Sequence, residues 1–152
     1  MARAGNRVEV LHGVNFDMLG KRDRDIYGDF SLRELELEIK GFAGELDLEP
    51  RFFQTNFEGE FVEHLHRLPE IADAAIVNAG AWTHYSWAIR DALEIAALPA
   101  VEIHLSDVAG REPWRRLSVV GDLCFATIAG QGPAGYREAL TLVRARLEGE
   151  GA

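Results

Sequence analysis

Apolar and polar positions along this chain follow two periods, one typical of strands and the other typical of helices. Short apolar runs alternate with longer segments in which apolar residues return every three or four positions. Ser31 and Glu34 form a capping-box signature at the start of one such helical segment. The pattern predicts strands over 7–13, 51–56, 74–80, 100–106 and 122–130, and helices over 31–47, 60–68, 86–98 and 136–149.

Five strands with helices between them predict a parallel sheet covered on both faces, because parallel neighbours need crossover connections. We therefore expect an α/β, three-layer, flavodoxin-like fold with strand order 2-1-3-4-5. A chain of 152 residues fits a single domain spanning 1–152. Ligands on such sheets bind beyond the carboxyl ends of the strands, near the switch between strands 1 and 3.

Composition and charge narrow the classes of partner. The net charge of −9 argues against binding to nucleic acid or anionic membranes, since both need a positive field. No apolar run reaches the ~20 residues of a membrane span. The lone Cys124 cannot form an internal disulfide, which favours the cytoplasm. Arginines nevertheless cluster in residues 22–24 and 111–116, a distribution that favours a small anionic ligand.

Polar residues stand where three of the predicted strands end. Asn15 follows the first strand and Asn78 ends the third. In the fourth strand, alternation places Glu102 and His104 together on one face. A hydrogen-bonded polar pair at the sheet rim is the simpler interpretation of these two residues. The predicted topology brings all four to one crevice, which favours a functional site.

The stretch "GKRDRDIYG" (20–28) is typical of a mobile surface loop. Its simpler interpretation is a solvated loop whose Tyr27 packs back on the protein. Alternatively, Arg22, with help from Arg24, makes Tyr27 a stronger acid and hence a usable base. An ordinary phenol, with a pKa near ~10, is ionised in about one molecule in a thousand at neutral pH.

Other motifs are less informative. Thr83 and His84 precede a predicted helix and could meet a carboxylate there. Alternatively, Thr83 or Ser86 simply caps the helix and His84 lies on the surface. "GQGPAG" (130–135) fits a dinucleotide-binding fingerprint, but no strand follows its helix, so a tight turn is the better interpretation. "HLH" (64–66) is not a metal pair, because residues two apart on a helix diverge.

Several motifs in order resemble a known family, the type II 3-dehydroquinate dehydratases. The similarity runs from about residue 8 to residue 140, through "HGVNFDMLGKRDRDIYG", "QTNFEGEFVEHLH", "NAGAWTHYSWAIRDAL", "VEIHLSDV" and "REPWRRLS". The resemblance implies dehydration of 3-dehydroquinate to 3-dehydroshikimate through an enolate, with no metal or cofactor. The reaction serves the shikimate pathway or quinate breakdown. The resemblance also implies a homo-oligomer, a dodecamer built from trimers.

By position, the resemblance implies a role for each of five catalytic residues. Tyr27 matches the tyrosine that removes the C2 proton, and Arg22 matches the loop arginine that favours its phenolate. His104 matches the general acid that protonates the departing C1 hydroxyl, with Glu102 beside it. Asn15 matches the asparagine that positions a water near the enolate oxygen.

Seven further residues match contacts with the substrate in the family. They are Asn78 near the leaving hydroxyl, the backbone of Leu105 and Ser106 for the carboxylate, His84 and Arg115 for ring hydroxyls, Arg111 in the second basic segment, and Asp91, which reaches a neighbouring subunit's site.

The chain departs from the family pattern at four positions. His12 and Val14 stand where the family usually has asparagine and proline, Asp107 follows Ser106 in place of asparagine, and Leu117 replaces a common histidine. We expect His12 and Asp107 to border the pocket. Two other classes of function stay open at this point. A flavodoxin-like module that senses a small anion would explain the arginines, and a flavin-binding electron carrier would be yellow when purified.

Overall fold

The computed structural model describes residues 5–149, whose five strands form one parallel sheet in the order β2-β1-β3-β4-β5. This confirms the predicted flavodoxin-like topology. The prediction of a single domain over 1–152 includes residues 1–4 and 150–152, which lie outside the described residues. The strands are β1 Arg7–His12, β2 Glu49–Gln54, β3 Ala74–Asn78, β4 Ala100–His104 and β5 Ala126–Ala129; the helices are α1 Arg24–Tyr27, α2 Leu32–Glu45, α3 Glu58–Ile71, α4 Trp87–Ala96 and α5 Ala134–Gly149.

Two hydrophobic cores lie on opposite faces of the sheet, one under α2 and α5 and the other under α3 and α4. Alternation along the strands divides the side chains between the cores. In β1, Val8 and Val10 face the first core and Leu11 faces the second. In β4, Val101 and Ile103 face the first core. Both faces of the sheet are therefore buried, and the carboxyl edge of the strands is the place left for a ligand.

Helix α2 begins at the predicted capping box. The Ser31 hydroxyl accepts a hydrogen bond from the Glu34 amide at 3.1 Å, and the Glu34 carboxylate accepts one from the Ser31 amide at 3.1 Å. These bonds satisfy two backbone donors that have no partner within the helix. Only residues 28–31 separate this capped start from α1, the turn that carries Tyr27.

Two predicted segments differ in the structure. The strand predicted over 122–130 is shorter, because Gly121–Leu123 forms a 3₁₀ turn and pairing with β4 covers only Ala126–Ala129. The stretch 20–28, predicted as a loop, contains the single helical turn α1. Asp23 caps that turn by accepting a hydrogen bond from the Asp25 amide at 2.9 Å. Across residues 5–149, no helix has both the length and the apolar character that a membrane crossing requires.

Candidate active site

A pocket opens at the carboxyl edge of the sheet, where β1, β3 and β4 end. It is the place that the topology predicted. Of the twelve site residues predicted from the sequence, ten line this pocket: Asn15, Arg22, Tyr27, Asn78, His84, His104, Leu105, Ser106, Arg111 and Arg115.

The ends of β1 and β3 approach each other closely at Gly13. Its amide donates a hydrogen bond to the Asn78 carbonyl at 2.8 Å. A Cβ atom at this position would lie 2.3 Å from the backbone oxygen of Ala79, so only glycine fits. The close approach brings the end of β3 and the turn after β1 together, and Asn78 and Asn15 line the same pocket.

Asn15 adopts the left-handed conformation, with φ at 71°, which few residues other than glycine tolerate as well as asparagine. The backbone amide of Asn15 donates a hydrogen bond to the Asn56 side-chain oxygen at 2.8 Å, and the Gln54 side chain donates to the same oxygen at 3.1 Å. Asn56 thus holds the turn that presents Asn15. The sequence reasoning gave Asn56 no role, although its place after β2, at the same edge of the sheet, was a usable signal.

Tyr27 lies between two guanidinium groups. Arg22 donates a hydrogen bond to the phenol oxygen at 2.8 Å, and Arg111 donates another at 2.7 Å. Both positive charges and both donated bonds meet at the same phenol oxygen. The second guanidinium was expected from Arg24, but the Arg24 side chain is exposed. Arg111, 84 residues away along the chain, takes that place.

Glu102 and His104 form the predicted pair on one face of β4. The Nε2 atom of His104 lies 2.7 Å from a Glu102 carboxylate oxygen, and both side chains are buried. Burial by itself raises the pKa of Glu102, but the hydrogen bond from His104, together with those from Ser118 and Thr127, outweighs it and holds that pKa below its ordinary value. Glu102 is therefore a carboxylate that accepts the Nε2 proton, which leaves Nδ1 of His104 for a ligand.

His84 is buried in the pocket wall rather than on the surface. Its Nδ1 atom donates to the Leu117 carbonyl at 2.7 Å, and its ring stacks near that of His104 with the centroids 6.3 Å apart. Burial lowers the pKa of His84, so the ring is neutral and its Nε2 atom can accept a hydrogen bond. Ser86 caps α4 by accepting from the Ile89 amide at 3.1 Å, as the simpler alternative predicted, but that alternative also placed His84 on the surface, where it does not lie.

The charge of the pocket favours an anion. Arg22, Arg111 and Arg115 line it, whereas none of its described lining residues is acidic. Arg111 also donates to the Ser106 hydroxyl at 3.3 Å, which ties the arginine to the end of β4. Within residues 5–149, no group of three or more His, Cys, Asp or Glu residues is arranged to hold a metal ion.

Two of the predicted site residues do not line the pocket. Glu102 lies behind it and contacts His104, as its predicted supporting role requires. Asp91 lies on the exposed face of α4, so its predicted reach into a neighbouring subunit stays a prediction.

The expectation that His12 borders the pocket is wrong. His12 shares the face of β1 that carries Val8 and Val10, and it is buried between the rings of Phe16 and Phe52. Alternation along β1 is the physical reason for this correction, since every second residue points to the same core. Asp107 is exposed and does not itself line the pocket, although its neighbours Ser106 and Val108 do.

Comparisons with known proteins identify the family of this chain. The family described as dehydroquinase class II matches residues 6–144. A 3-dehydroquinate dehydratase of Thermotoga petrophila is 46% identical over 142 residues, which cover 93% of this chain and 97% of that protein.

Solved structures are similar as well. The type II dehydroquinase of Butyrivibrio crossotus superposes with a TM-score of 0.88 at 33% identity, covering 93% of this chain and 99% of the other. The type II dehydroquinase of Propionibacterium acnes gives a TM-score of 0.87 at 34% identity, covering 95% and 99%. The resemblance found in the sequence is thereby confirmed: this chain belongs to the dehydroquinase class II family.

Proposed function

We propose that this chain is a type II 3-dehydroquinate dehydratase, which eliminates water from 3-dehydroquinate to give 3-dehydroshikimate without a metal or cofactor. One observation carries the proposal. The Tyr27 oxygen receives hydrogen bonds from two guanidinium groups, in the same pocket as a histidine that a buried carboxylate holds. A base and an acid facing one small space suit an elimination.

The first step is removal of a proton from C2 of the substrate. Tyr27, ionised between Arg22 and Arg111, accepts that proton, and the electrons of the C–H bond move toward the C3 carbonyl to form an enolate. A water held by Asn15 donates a hydrogen bond to the enolate oxygen. The fixed left-handed turn at Asn15 supports this assignment, because it holds the side chain at the pocket wall.

The second step is loss of the C1 hydroxyl. His104, as an imidazolium, donates the proton on Nδ1 to that oxygen. The C1–O bond breaks, water leaves, and the enolate electrons form the C1–C2 double bond. Glu102 stays ionised throughout and stabilises the imidazolium from the Nε2 side. Asn78, beside the same space, contacts the departing hydroxyl.

Substrate binding follows from the charge and the donors of the pocket. The substrate carboxylate lies at the backbone amides of Leu105 and Ser106, within the field of the pocket arginines. His84, neutral and with a free Nε2 atom, accepts a hydrogen bond from a ring hydroxyl, and Arg115 contacts another. Arg111 donates a hydrogen bond to the Tyr27 oxygen and also contacts the substrate, whereas the sequence implied only the substrate contact.

The finer expectations on assembly and location belong to the same proposal. We propose a homo-oligomer, a dodecamer built from trimers, in which Asp91 on the exposed face of α4 reaches a neighbouring site. We also place the enzyme in the cytoplasm. The partly buried Cys124, whose pKa burial raises to about 12, is a stable thiol that suits a reducing compartment.

A direct assay tests the proposal. The product carries a carbonyl conjugated with a carbon–carbon double bond, so its formation raises the ultraviolet absorbance when purified protein is mixed with 3-dehydroquinate. Turnover should persist after treatment with a chelator. If the protein binds 3-dehydroquinate but the absorbance does not rise, the enzyme assignment is wrong and an anion-sensing module is the better account.

A further inference from the structure

Three side chains donate hydrogen bonds to the buried Glu102 carboxylate, and two of them have no place in the reaction described so far. His104 and Ser118 bind the same oxygen, at 2.7 and 2.8 Å. Thr127, the register partner of Glu102 on β5, binds the other oxygen at 3.2 Å. The carboxylate is 2% exposed, so these donors replace the water that would otherwise solvate it.

The Ser118 hydroxyl has only one direction in which to donate. Its oxygen accepts hydrogen bonds from the Val120 amide at 3.3 Å and from the Gly121 amide at 3.0 Å. A hydroxyl has two lone pairs and one proton, so with both lone pairs engaged the proton must point to Glu102. A Cβ atom on residue 121 would lie 3.1 Å from the Glu102 carboxylate, so glycine there keeps the loop close to the carboxylate.

The segment that carries Ser118 is anchored to the pocket wall on both sides. The Leu117 carbonyl accepts from His84, and the Val119 amide donates to the Thr83 carbonyl at 2.8 Å. Ser118 thus lies in a fixed position between the wall and Glu102. Thr127 differs, because it is exposed on the edge strand, where water can take the place of its hydroxyl.

We propose that Ser118 is a positioning residue of the reaction, which acts through Glu102 to hold the His104 proton on Nε2 and to leave Nδ1 for the substrate. The inference rests on the proposed function. Without the Ser118 donor, His104 is the only partner of the shared carboxylate oxygen, so the carboxylate can turn away from Nε2 and stabilises the Nε2–H tautomer less. The ring is also held less firmly. Proton delivery suffers, whereas the groups that bind the substrate are untouched.

A double-mutant cycle separates this role from a merely structural one. Ser118→Ala should lower kcat about tenfold, near the lower end of what one hydrogen bond to a charged group contributes, and leave KM almost unchanged. In a Glu102→Gln background the same substitution should change kcat by less than about twofold, because the group through which it acts is gone. Ser118→Thr, which keeps the hydroxyl, should retain activity.

Thr127→Val is the matched control. It removes the other donor from the same carboxylate at an exposed position, so its loss of kcat should be smaller than that of Ser118→Ala. The proposal is overturned if Ser118→Ala leaves kcat unchanged, or if it lowers kcat equally in both backgrounds.

A second readout does not depend on turnover. The ¹⁵N signals of the His104 ring, assigned by their loss in His104→Ala, should show the Nε2–H tautomer in the unaltered protein and a larger share of Nδ1–H in Ser118→Ala. Identical spectra would overturn the inference. If the unaltered protein fails to convert 3-dehydroquinate, the proposed function fails, while the tautomer measurement still decides on Ser118.

Discussion

The hydrogen bond from Arg22 to Tyr27 makes a quantitative prediction about the pH dependence of turnover. Two unit charges ~4 Å apart interact by about 4 kcal/mol at an effective dielectric constant of ~20. Arg22 is only partly buried, and we take solvent screening to reduce that figure to about 1–2 kcal/mol. Since 1.36 kcal/mol corresponds to one pH unit, Arg22→Gln should move the acid limb of the kcat/KM profile upward by about one unit.

The measurement is the initial rate of enone formation between about pH 5 and 10, with Arg22→Gln and Arg24→Gln compared. Arg24→Gln is the matched control, because it removes the same charge from the same segment while its side chain is exposed and the Tyr27 oxygen is bonded to Arg22 and Arg111. Its profile should stay within a few tenths of a unit of the parent's. At neutral pH, Arg22→Gln should lower kcat/KM about tenfold.

Two outcomes would refute this reasoning. An unchanged acid limb in Arg22→Gln would show that the arginine does not favour the ionised phenol. An equal shift in both variants would show that general surface charge, rather than the hydrogen-bonded guanidinium, sets the profile. Arg111→Gln should shift the limb in the same direction, and it should also raise KM because this arginine serves the substrate.

Further predictions concern other parts of the site. Tyr27→Phe should abolish turnover while calorimetry still detects ligand binding, and near-normal kcat would remove Tyr27 from its role. His104→Ala should be almost inactive, and substantial residual kcat would assign the acid elsewhere. Asn56→Ala should lower kcat clearly while it changes the midpoint of urea unfolding little, because it releases the Asn15 turn. Gly13→Ala should cost about 2 kcal/mol of unfolding free energy through its clash. Gly41→Ala, with open space around it in α2, should instead stabilise.

Local signals allowed much of the fold to be predicted from the sequence. The capping box at Ser31 and Glu34 is a short-range chemical pattern, and it begins a helix as expected. The prediction of a strand over 122–130 was wrong about where the strand begins, because an apolar run is compatible with a 3₁₀ turn as well as with a strand. Only the pairing with Ala100 and its neighbours in β4 decides where β5 begins.

The site was predictable where strand alternation governs it and unpredictable where distant segments meet. Alternation placed Glu102 and His104 together, as the structure has them. The same rule, applied to β1, would have assigned His12 to the core. No spacing rule connects Arg111 to Tyr27, because their contact depends on how the segment after β4 folds over the pocket.

The left-handed turn at residue 15 places two demands on one amino acid. The backbone favours glycine, asparagine or aspartate there, while the proposed chemistry needs a neutral amide. In a saturation library selected for growth on this enzyme alone, we expect asparagine to dominate at that codon. Selection for expression level alone should also recover glycine and aspartate at that codon. The difference in amino-acid frequencies between the two selections would then show how much of the constraint comes from the chemistry.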